Sequence, residues 1–369
     1  MSETFLCSIC SREHPINERI TFDGEELCSG CLESQTTLCR ECGQRIWITD
    51  NAGSDVHPLC QDCFDDHYTR CSRCGALLRQ SSVCYEDGDE DEERPYCDSC
   101  YQARSGEMIH DYYYKPEPIF YGHGPRYFGV ELELDGAGES NGNAAQILNV
   151  ANRDGDYLYA KHDGSLDDGF ELVSHPMSLN FHQKELPWNS VLKEAIYLGY
   201  QSHRAGTCGL HVHVSRAAFG VTEAEQDAVI ARILYFFEKH WEELLKFSRR
   251  NQRQLERWAA RYGYKEQPRD ILDHAKKGYG AGRYTCVNLT NEDTIEFRIF
   301  RGTLKLNTLI ATLQLVDRIC DVALFLSDEE IKAMSWTTFV SGCTQPELVQ
   351  YLKERRLYVN EPVETEVEL

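Results

Sequence analysis

No stretch of this 369-residue chain approaches the roughly 20 consecutive apolar residues that a membrane-spanning helix requires. Its opening, Met1-Ser2-Glu3-Thr4-Phe5, has neither the basic start nor the apolar run of a signal peptide, which makes cytoplasmic the expected location. Positive charge is also short. Lysine and arginine total 38 against 60 aspartates and glutamates, a formal net charge of -22, and such a surface disfavours non-specific affinity for nucleic acid or an anionic membrane. The shortage is sharpest over residues 1–104, which hold nine arginines and no lysine against 21 acidic residues. A protein or peptide is the better-matched partner for that third. Enough remains for globular structure: 41% hydrophobic residues support a core, and the length allows two or three domains.

Cysteine is in excess. Twelve of the 17 fall in six Cys-x-x-Cys pairs. A redox motif needs strands and helices alternating around it, which the flanking sequence lacks, and a disulfide framework belongs to exported proteins; six pairs in a regular array favour thiolate ligation of metal. The pairs recur with a period of 32 residues, Cys7 to Cys39 to Cys71, Cys10 to Cys42 to Cys74, Cys28 to Cys60 and Cys31 to Cys63. The third unit closes on Cys97 and Cys100, five residues late, after an acidic run at 86–93 suited to a solvated loop. Four thiolates per unit match tetrahedral structural Zn2+, so three closed sites are expected, in modules of about 1–35, 36–67 and 68–104. Gly43 and Gly75, directly after the first pairs of units two and three, suit the turn of such a knuckle. Modules this short bury little apolar surface, and metal binding should supply most of their folding free energy. Two other pairings are open: a site that includes His57, three residues before Cys60, or ligands that cross between adjacent units. His14 and His67 read as surface residues. A closed site leaves no position for a substrate, so the array is expected to bind rather than to catalyse.

Residues 105–125, with Asp111-Tyr112-Tyr113-Tyr114-Lys115-Pro116 and Tyr121-Gly122-His123-Gly124-Pro125, are punctuated by prolines and glycines and read as a linker. From 126 to 345 strands and helices alternate in an α+β manner. Thr222 and Glu225 form a capping box before an amphipathic segment, Asp227 to Phe247, whose Val229, Ile233, Phe236, Phe237, Trp241, Leu244 and Leu245 recur at helical spacing. A second long helix is predicted over 307–326. Residues 346–369 read as a terminal helix, through about Leu357, and an acidic tail.

Four islands in this region place charged groups at alternate positions of apolar strands: Val130-Glu131-Leu132-Glu133-Leu134, Phe170-Glu171-Leu172-Val173, Leu210-His211-Val212-His213-Val214 and Ile295-Glu296-Phe297-Arg298. Successive strand side chains point to opposite faces, so Glu131 shares a face with Glu133, His211 with His213 and Glu296 with Arg298. Four carboxylates, two imidazoles and an arginine on one face desolvate and repel one another unless divalent cations and a polyanion occupy it. The face is therefore expected to be a site for divalent metals and a phosphorylated ligand. The competing reading makes Glu133 or Glu171 an ordinary exposed carboxylate. Arg301 breaks parity with Arg298, so a bulge or strand end is needed to bring it inward; otherwise it is a surface residue. Gly278-Tyr279-Gly280-Ala281-Gly282 lacks the Lys-Ser/Thr ending of a P-loop and reads as a flexible loop. Cys208, Cys286 and Cys320 sit among apolar neighbours and read as packing residues.

Five ordered motifs over roughly 126–302 carry a resemblance: Tyr127-Phe128-Gly129-Val130-Glu131-Leu132-Glu133, Lys161-His162-Asp163-Gly164-Ser165-Leu166, Gly169-Phe170-Glu171-Leu172-Val173-Ser174, Cys208-Gly209-Leu210-His211-Val212-His213-Val214-Ser215 and Thr294-Ile295-Glu296-Phe297-Arg298-Ile299-Phe300-Arg301-Gly302-Thr303. The pattern resembles the amidoligase family of carboxylate-amine ligases. The resemblance implies a glutamine-synthetase-like domain, an antiparallel sheet with flanking helices, and ATP-dependent amide formation through an acyl phosphate that an amine displaces. Phosphoryl transfer of this kind rests on positioning and charge neutralisation, so Mg2+ or Mn2+ held by oxygen ligands is expected, with Glu131, Glu133, Glu171 and Glu296 as the carboxylates and one histidine joining them. Resemblance to the Met-His-x-His strand of glutamine synthetases favours His211 as that ligand and puts His213 near the phosphates. Arg298 and Arg301 offer guanidinium forks to phosphate, with Arg283 a third candidate. Lys161, Asp163 and Ser165 are assigned to substrate or nucleotide contact, Asp163 as a candidate base for the amine. The zinc array is the candidate recruiter of a protein or peptide substrate. The alternatives are a guanidino-kinase-like phosphotransferase on the same fold and a zinc-module adaptor with an inactive ligase domain.

Overall fold

The computed structural model describes residues 4–85, 94–105, 108–277 and 282–358, the side chains of 102–105 excepted. Contacts divide the chain into two compact units, Met1–Tyr96 and Cys97–Leu369. The acidic run at 86–93, residues 278–281 of the glycine-rich loop and the acidic tail lie outside the described residues.

The first unit is built from the repeat. A left-handed residue follows each first cysteine pair, Ser11 (φ 54°), Gly43 (φ 74°) and Gly75 (φ 76°), and each donates its N–H to the carbonyl of the cysteine four residues earlier, at 2.9 Å. The chain then returns as a short hairpin, Thr36–Leu38 on Arg45–Trp47 in the second repeat and Tyr68–Arg70 on Leu77–Arg79 in the third. Cys28 and Cys60 stand at the N-caps of the helices Ser29–Gln35 and Gln61–His67, which present Cys31 and Cys63 one turn later. Knuckle and helix start thus bring four thiols together in two groups that lie wholly within this unit, Cys7, Cys10, Cys28, Cys31 and Cys39, Cys42, Cys60, Cys63. Both join cysteines of a single repeat rather than crossing between repeats. His57 stands apart from them, buried with its Nε2 3.2 Å from the Tyr68 hydroxyl. His14 places Nε2 3.6 Å from Cys10 Sγ. In the third repeat Cys71 and Cys74 belong to the first unit and Cys97 and Cys100 open the second.

The second unit is mixed α+β around one seven-stranded sheet. Its strands are β1 (Ile109–His110), β2 (Phe128–Asp135), β3 (Leu158–Lys161), β4 (Gly169–Ser174), β5 (Gly209–Ser215), β6 (Val287–Asn288) and β7 (Thr294–Arg301), in the order β1-β3-β4-β2-β5-β7-β6. All neighbours are antiparallel except the edge pair β1 and β3, which runs parallel and makes the sheet mixed where an antiparallel one is expected from the sequence. That edge comes from the segment read as a linker: Ile109–His110 pairs with β3, and Ile119 and Tyr121 are buried. Its prolines and glycines punctuate this unit instead of separating it from its neighbour.

One face of the sheet is apolar and closed. Val130, Leu132, Leu134, Phe170, Leu172, Leu210, Val212, Val214, Ile295 and Phe297 have no exposed surface. Helices α1 (Asn141–Ala151), α2 (Leu179–Lys184), α3 (Trp188–Tyr197), α4 (Glu223–Lys239), α5 (Trp241–Ser248) and α6 (Leu306–Phe325) build the rest of the core. Phe237 of α4 packs on Phe297 and Phe247 of α5 on Phe300, with ring centroids 5.6 and 6.0 Å apart. The long helix expected through Phe247 is two helices, α4 and α5. His240, at φ -107° and ψ 31°, leaves the helical region between them and buries its ring against Phe236 and Trp336. Neither proline nor glycine marks that break, and the apolar stripe runs through it, so periodicity alone joins the two.

Candidate active site

Register gathers the charged residues on the other face. Glu131 lies opposite His211, Glu133 opposite Glu171, Glu171 opposite Lys161 and His213 opposite Glu296. Cross-strand partners share a face, so five strands contribute to one polar floor. Between Leu210 and Val212 of β5 the pairing with β7 slips, because β7 carries one more residue there. The bulge restores Phe300 to the apolar side opposite Leu210 and brings Arg301 opposite Gly209, onto the face of Arg298.

The contacts are close. His211 Nδ1 lies 3.1 Å from Glu131 Oε2 and 3.6 Å from Glu296 Oε1, while its Nε2 lies 3.6 Å from Glu133 Oε1. His213 Nε2 is 3.0 Å from Glu131 Oε1 and its Nδ1 3.2 Å from Thr294 Oγ1. Arg298 donates to Glu296, which also accepts from Asn288 Nδ2 at 2.8 Å. Glu133 accepts from the Gly209 backbone N–H. Glu133, Glu171, His211 and Glu296 are buried; Glu131 and His213 are partly open.

Electrostatics divide these groups. Burial and the neighbouring Glu131 and Glu133 push the Glu171 carboxyl well above the usual range, and burial raises Glu133 despite His211. Glu131 behaves oppositely: burial works against ionisation, yet His213 and His211 hold it well below the ordinary value. Burial would lower His213, and Glu131 outweighs it, so that imidazole is shifted upward. Two carboxylates directly opposite in register, both resisting ionisation, form a floor short of positive charge.

The donor set fits a hard divalent cation. Its carboxylate oxygens suit Mg2+ or Mn2+, its imidazole nitrogens extend the match to borderline ions, and with no thiol on the face among the described residues a soft metal is a poor match. Two overlapping groups bring ligand atoms within 4.8 Å of one another: Glu131, Glu171, His211 and Glu131, His213, Glu296. His213, expected near phosphate, thus also stands in a group able to hold metal, and Glu131 belongs to both.

The other sequence-marked residues lie at the rim. Lys161 is buried opposite Glu171, with Nζ 5.6 Å from the Tyr112 ring centroid. Asp163 is half-buried and accepts from the Ser165 N–H at 2.6 Å, whereas Ser165 itself is exposed. Arg283 is exposed, stacked over Tyr112 and Tyr284 at 5.5 and 5.0 Å, and donates to both hydroxyls. Two clefts open from the floor. One, of about 750 Å3, includes Glu131, His213, Tyr159, Lys161, Phe120 and Tyr127; the other, of about 850 Å3, includes Arg301, Arg249, Arg250 and His203.

Arg250 is the residue that motif reading missed. It follows α5, whose C-cap Arg249 takes the left-handed conformation, φ 61°, usually left to glycine. A Cβ on Gly209 would stand 2.6 Å from Arg250 Nη2, so the absent side chain leaves room for the guanidinium on the strand. Burial, with Glu133 opposing and Arg298 and Arg301 adding, lowers Arg250 to about 10. The signal available in the sequence is an Arg-Arg pair where a helix should end on glycine.

With this geometry in view, residues 149–320 match the sequence model of a family described as "Putative amidoligase enzyme". The chain is similar to amidoligases over that span. The amidoligase match covers β4, β5 and β7, and with them Glu171, His211, His213, Glu296, Arg298, Arg301 and Arg250; Glu131 and Glu133 precede it. No curated protein matches the chain. Among solved structures, a bifunctional glutathione synthetase from Pasteurella multocida is similar at 14% identity, over 62% of this chain and 46% of that one, with a TM-score of 0.32. This chain therefore spans less than half of that protein's length, and a likeness of that degree fixes no fold.

Proposed function

We propose that the second unit is an ATP-dependent ligase that joins a carboxylate to an amine, on a glutamine-synthetase-like scaffold. The observation that carries this reading is the floor of Glu131, Glu133, Glu171 and Glu296 around two imidazoles, with arginines at its edge, most of it within the region similar to amidoligases and Glu131 and Glu133 on the strand just before that region. Mg2+ or Mn2+, held by Glu131, Glu171 and His211 and by Glu131, His213 and Glu296, would neutralise phosphate charge there. Arg298 and Arg301 orient the transferred phosphoryl group by paired N–H donation. The substrate carboxylate attacks the terminal phosphorus, ADP leaves, and an amine displaces phosphate from the resulting acyl phosphate. His213, as a neutral ligand beside Glu131 and Glu296, would hold the second ion against the phosphates. Asp163 stands at the rim to take the proton of the incoming amine. The zinc modules recruit a protein or peptide that supplies one of the two substrates.

Hydroxylamine tests the scheme by trapping an acyl phosphate as a hydroxamate. Protein, ATP, Mg2+, a panel of carboxylates including peptides, and hydroxylamine should yield ADP, phosphate and hydroxamate in equal amounts. A phosphorylated acceptor with no hydroxamate would instead establish the phosphotransferase reading.

A further inference from the structure

We propose that the cavity beyond Arg301 binds an oligophosphate chain, with the Arg250 guanidinium as its central ligand. The reading deepens the proposed ligase function, since it assumes that the charged face handles phosphate. The cavity, about 850 Å3, is lined by Lys246, Arg249, Arg250, Arg301 and Arg355, with Glu242 as its one acid among the described residues. A surplus of four positive charges exceeds the roughly -1.5 to -2 that one phosphate group brings, so a chain of phosphates matches it better than a single ion.

The donors are prepared for such a ligand. The Arg250 guanidinium makes no hydrogen bond among the described residues, although Arg250 sits close against Gly209 and His211. Arg301, which lines the cavity, has its Nε buried without a hydrogen-bond partner. Backbone contacts hold the wall: Arg249 donates to the Gly302 carbonyl at 3.4 Å, and Arg355 donates twice to the Lys246 carbonyl, at 3.0 and 2.8 Å. The half-buried Arg250 guanidinium keeps its side-chain donors unspent toward the cavity, and its planar fork fits two phosphate oxygens. Leu245 is the one apolar side chain among the described lining residues and the His203 imidazole the one aromatic ring, so the lining is dominated by cationic donors rather than by an apolar slot for a nucleobase. The ligand chemistry is the phosphate chain itself, from a nucleotide whose base lies elsewhere or from a phosphorylated substrate.

Calorimetry of the full chain with tripolyphosphate, without added divalent metal, tests this. Wild type should bind one equivalent, more weakly as salt rises. Arg250→Gln and, at the rim, Arg355→Gln should each weaken binding by about tenfold to a hundredfold, the scale of a hydrogen bond to a charged group. Lys115→Gln, in the other cleft, should leave it unchanged. Displacement of tripolyphosphate by ATP assigns the cavity to nucleotide phosphates; simultaneous binding assigns it to a phosphorylated substrate. Unaltered affinity in both arginine variants, or no binding by folded wild type, overturns the proposal. Tripolyphosphate binding without any ATP-driven amide formation would leave this site standing and remove the ligase reading.

Discussion

Glu131 is the carboxylate on which both metal-capable groups depend, and it is also the partner of both imidazoles. Glu131→Gln should lower ATP turnover by about a hundredfold or more, since even outer-shell partners of metal ligands are worth 10- to 100-fold. The fold should survive, because the substitution is isosteric and relieves a crowded acidic floor; an unchanged circular dichroism melt checks this. Gly209→Ala makes a different demand. Its methyl would stand 2.6 Å from both Arg250 Nη2 and His211 Nε2, so turnover should collapse while the apolar face of β5 stays packed. In the first unit Ser11 holds the left-handed place that glycine takes in the other two repeats. Ser11→Gly should stabilise that repeat by about 0.5–1 kcal/mol, read as a higher chelator concentration at half-unfolding.

At the scale of elements, alternation made the polar floor legible, because a two-residue period fixes faces without any knowledge of neighbours. Strand order is another matter: that Glu133 would face Glu171 depends on β2 pairing with β4, a long-range choice. Arg301 shows the boundary between the two. Parity put it on the wrong side and raised the need for a bulge, but only the pairing of β5 with β7 places one. Ile109–His110 is too short to carry a pattern of its own, so the prolines and glycines that follow it decide how the segment reads in the sequence. Two buried histidines, His182 on the inner face of α2 and His175 before it, yield a prediction about pH. His182 lies between the Trp188 indole N–H, 3.2 Å from its Nδ1, and the Phe128 carbonyl, 3.0 Å from its Nε2, an arrangement that a neutral ring satisfies. Burial lowers both His182 and His175 to about 4. The unfolded chain takes up these protons near pH 6.5 and the native state does not, so stability is full above that value and falls as pH drops toward 4, by about 2 kcal/mol per histidine at pH 5. Urea midpoints followed by tryptophan fluorescence, with four of five tryptophans in the second unit, should fall between pH 7.5 and 5; equal midpoints would contradict this.

For the whole molecule, the cysteine period revealed the repeats because metal ligation imposes strict spacing, whereas the within-repeat grouping of the first two sets is decided by the fold, since a constant period fits cross-repeat pairing equally well. The contact division after Tyr96 was not legible, since it cuts across the third repeat's ligand spacing. A chelator should unfold the first unit, whose small cores rest largely on its cysteines, and leave nucleotide affinity of the second nearly unchanged. Circular dichroism and nucleotide titration on the same sample would show the two responses apart. The central claim is that the charged face grips a nucleotide's phosphates through divalent metal. Its most direct test is calorimetric titration of a non-hydrolysable ATP analogue with and without Mg2+, on wild type, Glu131→Gln and Glu296→Gln. Binding by wild type that requires Mg2+ and is lost in both folded variants is the expected result; no binding, or equal Mg2+-dependent binding by all three, would contradict it.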